Sequence, residues 1–91
     1  MNVERIIESF EALKKILKDW AIIDEKEIKI IDPPFIITIS KPDESITFTF
    51  EGREVAVLTK DRIDIESGFE GVVEEWYTAL TSLGFKRYLL K

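Results

Sequence analysis

Ser45-Ile46-Thr47-Phe48-Thr49-Phe50, then Glu51-Gly52, then Arg53-Glu54-Val55-Ala56-Val57-Leu58-Thr59, is the stretch that decides the fold. Its first six residues alternate polar and apolar without a break, the period of a strand with one buried side. Glu51-Gly52 is a two-residue connection in which glycine supplies positive φ. A loop that short fixes the register of the returning strand. Counting back from it, Phe50 opposes Arg53, Phe48 opposes Val55 and Ile46 opposes Val57. The other side pairs Thr49 with Glu54, Thr47 with Ala56 and Ser45 with Leu58. Turn geometry and apolar pattern agree on a hairpin whose core side holds Ile46, Phe48, Val55 and Val57.

Further strands read outward from this hairpin. Phe35 to Ser40 is isoleucine-rich and runs into Lys41-Pro42-Asp43-Glu44, a turn with proline at a favoured position. Its Ile37 and Ile39 join the core side. Glu27 to Ile31 alternates, with Ile28 and Ile30 pointing one way and Glu27 and Lys29 the other. Asp32-Pro33-Pro34 ends that strand, because proline lacks a ladder donor and restricts the residue before it. Upstream, Ala21-Ile22-Ile23 is an apolar transition before the turn-like Asp24-Glu25-Lys26. Downstream, Asp61 to Glu66 alternates again, with Ile63 and Ile65 on one side, and reads as a further edge strand or an extended lead-in.

Helices bracket the strands. Val3, Ile6, Phe10, Leu13, Leu17 and Trp20 recur at spacings of three and four, which predicts an amphipathic helix over 3–19 with Asn2 as N-cap. Glu4, Glu8 and Glu11 come early and Lys14, Lys15 and Lys18 late, in the order the helix dipole favours. Glu11 and Lys15 stand at i,i+4. Ser67-Gly68-Phe69-Glu70 has the form of a capping box and opens a second helix over 68–83. Its stripe is Phe69, Val72, Val73, Trp76, Leu80 and Leu83, with Gly84 at the left-handed C′ position and Phe85 folding back. Trp20 and Trp76 fall on the stripes and read as core or core edge; Tyr77 falls off its stripe.

The expected architecture is α+β, in one domain over residues 1–91. It is a two-layer sandwich, an antiparallel meander of three to five strands with two helices on one face. The other face carries threonine and serine with Ile31, Ile36, Ala56 and Leu58, greasier than a simple solvated face. A homodimer, sheet to sheet or edge to edge, is therefore expected.

Composition narrows the chemistry. The chain has no cysteine and no histidine, which removes disulfides, thiolate and imidazole metal sites, cysteine nucleophiles and Ser-His-Asp triads. Glutamine is absent, Asn2 is the one asparagine, and isoleucine occurs fourteen times. Depletion of heat-labile residues with Lys and Glu enrichment points to a hyperthermophile or its virus. No apolar run approaches the roughly 18 residues of a membrane span. Met1-Asn2-Val3-Glu4-Arg5 carries no signal-peptide pattern, so a cytoplasmic location is expected. The net charge of −5 argues against nucleic-acid or membrane-surface binding.

That negative excess is local. Asp61, Asp64, Glu66, Glu70, Glu74 and Glu75 face only Arg62 within residues 61–75, and the rest of the chain sums to zero. These six carboxylates are the candidate partner-binding residues, as a patch for a basic protein. No EF-hand loop or phosphate-binding glycine motif is present, and no catalytic, cofactor-binding or metal-ligating residue is assigned.

Two short stretches resemble known elements. Glu27-Ile28-Lys29 is similar to the acid-x-Lys element of restriction-endonuclease-like nucleases. In that family an acid on a preceding strand shares the metal; here the upstream acids, Asp19 and Asp24, lie on no such strand. The helix-strand-strand-strand-helix order is similar to the double-stranded-RNA-binding module, whose second helix is basic. Here that helix opens Phe69-Glu70-Gly71 and continues through Glu74 and Glu75, the opposite sign.

The function expected from the residues is a non-enzymatic interaction or regulatory module, paired with itself or another protein. One alternative is an acidic nucleic-acid mimic that occupies a basic groove, which needs the carboxylates on one continuous face. Another is a metal-dependent hydrolase using Glu27 with Asp61 or Asp64, which needs those side chains to converge.

Overall fold

The computed structural model describes residues 1–82. The predicted helix end at Leu83, Gly84 and Phe85 and the basic tail (Lys86, Arg87, Lys91) lie outside the described residues. One antiparallel sheet has its strands in chain order: β1 (Ala21–Ile23), β2 (Glu27–Asp32), β3 (Phe35–Ser40), β4 (Ser45–Phe50), β5 (Arg53–Thr59) and β6 (Ile63–Ile65). The α+β meander is borne out, with six strands rather than three to five. The strand beyond that count is Ala21–Ile23, expected as a transition, while the possible edge strand over 61–66 is present as Ile63–Ile65. Each tripeptide pairs along a neighbour that supplies the ladder.

The hairpin register holds at the turn and then changes. Phe50 pairs with Arg53 and Thr49 with Glu54, but Phe48 pairs with Ala56, Thr47 with Val57 and Ile46 with Leu58. A bulge at Val55 inserts one extra residue, so Val55 and Ala56 are both buried although adjacent in sequence. This corrects the expected faces: Ala56 and Leu58 belong to the core, and Val57 moves to the other side. The physical reason is that Val55-Ala56-Val57-Leu58 is apolar on both phases, so alternation cannot choose between them. The bulge also places the larger Leu58 inside in place of valine.

The N-terminal rod is kinked. It comprises α1 (Val3–Glu8) and α2 (Phe10–Ile16), separated at Ser9. The Ser9 hydroxyl donates to the Arg5 carbonyl at 2.9 Å, a back-bond that competes with the helical ladder and bends helices. The rod resumes because Leu13 N–H still reaches the Ser9 carbonyl at 2.8 Å. Asn2 is the N-cap as expected, accepting from Arg5 N–H at 3.2 Å. Glu11 bonds Lys14 and also reaches Lys41 in the β3–β4 turn, rather than pairing with Lys15. The Lys14 hydrogen bond, ahead of the charges of Lys14 and Lys41, holds the Glu11 carboxyl below its ordinary range.

The last helix, α3 (Glu70–Thr81), starts later than predicted, and no side chain caps it. Ser67 is not the cap. Glu70 instead turns back to accept from Gly68 N–H at 2.8 Å, and Gly68 takes φ +99°, a conformation glycine adopts freely. Phe35, Phe50 and Phe69 form a three-ring cluster with centroids 5.2 to 6.0 Å apart. That cluster pins the approach to α3 onto the ends of β3 and β4. The Glu51–Gly52 turn has positive φ at both residues, as the two-residue hairpin requires.

A single core joins the layers. Val3, Ile6, Phe10, Leu13 and Leu17 of the N-terminal rod and Val73 and Leu80 of α3 pack on Ile28, Ile30, Ile37, Ile39, Ile46, Phe48, Ala56 and Leu58. All the helices therefore lie on one face of the sheet, as the apolar pattern predicted. Each fully buried large side chain contributes about 1.5–3 kcal/mol relative to exposure. No polar side chain is buried among the described residues.

Candidate interaction surface

With the described helices on one side, the sheet's other face is left bare by the described residues. Directly opposed residues share a face, so the register lays it out as rows. One row runs Ile31, Ile36, Thr49, Glu54; the next runs Ile22, Lys29, Thr38, Thr47, Val57, Asp64; the third runs Glu27, Ser40, Ser45, Thr59. The middle strands contribute hydroxyls and short aliphatics. The charges stand on β2, β5 and β6, where Lys29 pairs with Glu27 at 3.5 Å and Arg62 pairs with Asp64.

The apolar residues of this face gather at one corner. Ile22 is 65% exposed, Ile31 43% and Ile36 38%. Trp20, one residue ahead of β1, is 59% exposed, and the register places it level with Ile31. The helical spacing places Trp20 in the core or at its edge, and the structure puts it on the surface. The rod turns off before it, at Leu17, whose carbonyl accepts from Trp20 N–H at 2.8 Å, so the helical spacing no longer applies there. These four are the largest concentration of exposed large hydrophobics among the described residues; the others, Met1 and Ile63, stand apart on α1's approach and β6. Asp24 holds the corner in place. Its Oδ1 accepts from the N–H groups of Lys26 and Glu27 at 2.7 and 2.9 Å, closing the β1–β2 turn. Those two backbone bonds, Lys26 first, hold its carboxyl below the ordinary range.

The six candidate acids do not share one surface. Asp61 is exposed at the β5–β6 connection, and Asp64 lies on the bare sheet face beside Arg62. Glu66 pairs with Arg53, whose guanidinium also lies over the Phe69 ring. That pair raises the Arg53 pKa. Glu70 is engaged with Gly68, while Glu74 and Glu75 are exposed on α3, in the helical layer. Three of the six are thus held by local partners, and the rest divide between opposite layers.

The hydrolase alternative fares similarly. Glu27 on β2 and Asp64 on β6 are four strand spacings apart, about 19 Å at ~4.8 Å each. Among the described residues no group of three or more acids is placed to hold a metal ion. An open cleft of about 310 Å³ lies between the β2–β3 turn and α3, lined by Asp32, Val72, Glu75, Trp76 and Ala79. Trp76 Nε1 donates to Asp32 Oδ2 across it at 3.0 Å, tying helix to sheet. No described helix is long and apolar enough to cross a membrane.

Sequence reasoning missed Trp20 and Ile22 as surface residues. Their signal was present in Trp20-Ala21-Ile22-Ile23, where two large apolar residues alternate with Ala21 and Ile23 just before a turn. The helical period immediately upstream masked it.

The fold and surface define a class: a two-layer α+β domain with a helix-covered core and a second sheet face that the described residues leave uncovered. The chain belongs to the Archaeoglobi AF1636 family, whose family model matches residues 2–91. No curated protein and no solved structure matches it.

Proposed function

We propose that this protein is a non-enzymatic interaction module of the cytoplasm that associates with a second copy of itself at the apolar corner of its sheet. The observation that carries this reading is the corner of Trp20, Ile22, Ile31 and Ile36, exposed on a face that no described helix covers. Contiguous exposed apolar surface rimmed by polar residues is the mark of a contact site.

Light scattering or sedimentation over a wide concentration range tests it. The expected result is a mass rising from 10.6 kDa toward twice that value as concentration increases. A constant single-chain mass up to millimolar protein overturns it. The composition further supports a heat-adapted protein, and a calorimetric midpoint in the mesophile range, about 45–65 °C, contradicts that.

A further inference from the structure

The corner marks a face, and the strand beside it marks how an occupant sits there. Asp24 N–H donates to the Glu27 carbonyl at 3.1 Å, one step beyond the paired residues of β1 and β2. Hydrogen-bonded and non-bonded pairs alternate along an antiparallel ladder. Ile22 and Lys29 are therefore a bonded pair, and the main-chain groups of Ile22 turn inward to β2. Those of Ala21 and Ile23 turn outward, off the edge of the sheet. The opposite side of β2 keeps the same phase, since Lys41 N–H donates to the Lys26 carbonyl at 2.9 Å. Among the described residues the sheet thus ends in open donors and acceptors on a strand with no charge and no proline, the arrangement to which other strands add.

We infer that β1 pairs with β1 of a second copy of this chain, antiparallel about a two-fold axis at Ile22, so that two six-stranded sheets become one. The pairing rests on the self-association reading above and specifies its geometry. Symmetry sets the register. Ala21 meets the partner's Ile23 and Ile23 meets the partner's Ala21, each as a bonded pair exchanging both N–H···O bonds. Ile22 meets the partner's Ile22 as a non-bonded pair, with Cα atoms about 4.5 Å apart. The two most exposed apolar side chains on β1 and its approach, Ile22 and Trp20, then lie beside the axis and join the two corners into one patch.

Charge selects this occupant over the alternatives. Pairing β6 with a second β6 about its centre sets Asp64 against Asp64, and like charges directly opposed repel. Pairing β1 with β6 of another copy sets Ile22 against Asp64 and, being head-to-tail, does not close. Only β1 on β1 is neutral, self-complementary and closed. Three residues a side bury less than about 1,200 Å², so the dimer is a weak, concentration-dependent one.

The chain contains no cysteine, so a single introduced thiol reads the geometry directly. The full-length Ile22→Cys protein, mildly oxidised, is expected to form a disulfide-linked dimer on a non-reducing gel, because the paired Cα atoms fall within disulfide reach of about 4.4–6.8 Å. Ile36→Cys, equally on the bare face but two strands from the edge, is expected to cross-link at least tenfold more slowly. Adding Ile23→Pro to Ile22→Cys removes one outward N–H without touching the ladder to β2, and is expected to slow cross-linking about tenfold. Failure of Ile22→Cys to cross-link, or equal cross-linking by Ile36→Cys, overturns the edge pairing. If the unmodified protein nevertheless doubles its mass, only the edge geometry falls. If its mass never rises, the self-association reading falls with it.

Discussion

The two edges of the sheet are equally short and chemically opposite. β1 ends the sheet with Ala21-Ile22-Ile23, neutral and preceded by an exposed tryptophan. β6 ends it with Ile63-Asp64-Ile65, and the surrounding Asp61, Arg62 and Glu66 are all exposed. Both leave main-chain groups pointing off the sheet. On β6, Arg62 carbonyl and Glu66 N–H are bonded inward to Thr59 and Val55, at 2.7 and 2.8 Å, which turns the groups of Ile63 and Ile65 outward. Charge at a sheet edge is a common guard against strand addition. Charge stands on one edge and not on the other, and under the proposed pairing that asymmetry leaves β1 rather than β6 open to a second copy.

The largest test asks whether the edges share one support. Phe48 is fully buried on β4, three strands from β1 and two from β6, and pairs with the strands leading to both. Phe48→Ala is expected to cost about 3–5 kcal/mol through lost burial and the cavity left behind. Chemical denaturation should show both edges lost in one transition. Separate transitions for β1 and β6 would mean that the two edges belong to independent units, and the comparison would lose its common frame.

A second test removes the guard. Asp64→Ile makes β6 as neutral as β1 and frees Arg62 from its partner. The side chain is exposed, so monomer stability should shift by no more than about 0.5 kcal/mol. Assembly should change in kind. With two unguarded edges, β1-to-β6 contacts propagate, and sedimentation should show open-ended species beyond a dimer. A variant that stays as closed as the parent would show that charge is not what silences β6.

The sequence made one of these edges legible and hid the other. The acids and alternation at 61–66 announced a polar strand, whereas Ala21-Ile22-Ile23 offered three apolar residues with no period of their own. The central strands were readable because Ile46, Phe48, Ile37 and Ile39 alternate cleanly with threonine and serine. The bulge at Val55 was not, since Val55-Ala56-Val57-Leu58 fits either phase and only packing against the helices decides. That one slip moved Ala56 and Leu58 inward and shifted the exposed apolar surface toward β1. The six acids were visible as a cluster in sequence, but Asp64 and Glu74 lie in different layers, which spacing along the chain does not reveal.

A third, smaller effect concerns Trp20. Its exposure predicts that Trp20→Ala changes the unfolding free energy by about 0.5 kcal/mol or less. The same change should weaken self-association, read as a shift of the sedimentation isotherm to higher concentration. Trp76, half-buried and bonded to Asp32, is the internal contrast. Trp76→Phe removes that hydrogen bond and should cost about 0.5–1.5 kcal/mol. A larger stability loss at Trp20 than at Trp76 would place Trp20 in the core after all.

The smallest expected effect is the pH dependence of the β1 edge. Asp24 closes the β1–β2 turn by accepting from Lys26 and Glu27 N–H, and these bonds hold its carboxyl below the ordinary 3.8. A carboxyl lowered in the folded state contributes stability that is complete above its unfolded value and is lost as pH falls through the folded value. The β1–β2 turn should therefore be fully held at neutral pH and loosen only in acid below the usual aspartate range. Hydrogen exchange at the Lys26 and Glu27 amides reads this locally, with protection falling across that acid window. Asp24→Asn keeps an oxygen acceptor without the charge, so it should retain partial protection and show no such dependence. Asp24→Ala should lose protection at every pH. The β6 edge has no equivalent carboxylate turn bond among the described residues, so protection at the Asp64 and Glu66 amides, which donate to β5, should stay level over the same window. A parallel fall at both edges would trace the acid effect to the whole fold and not to Asp24.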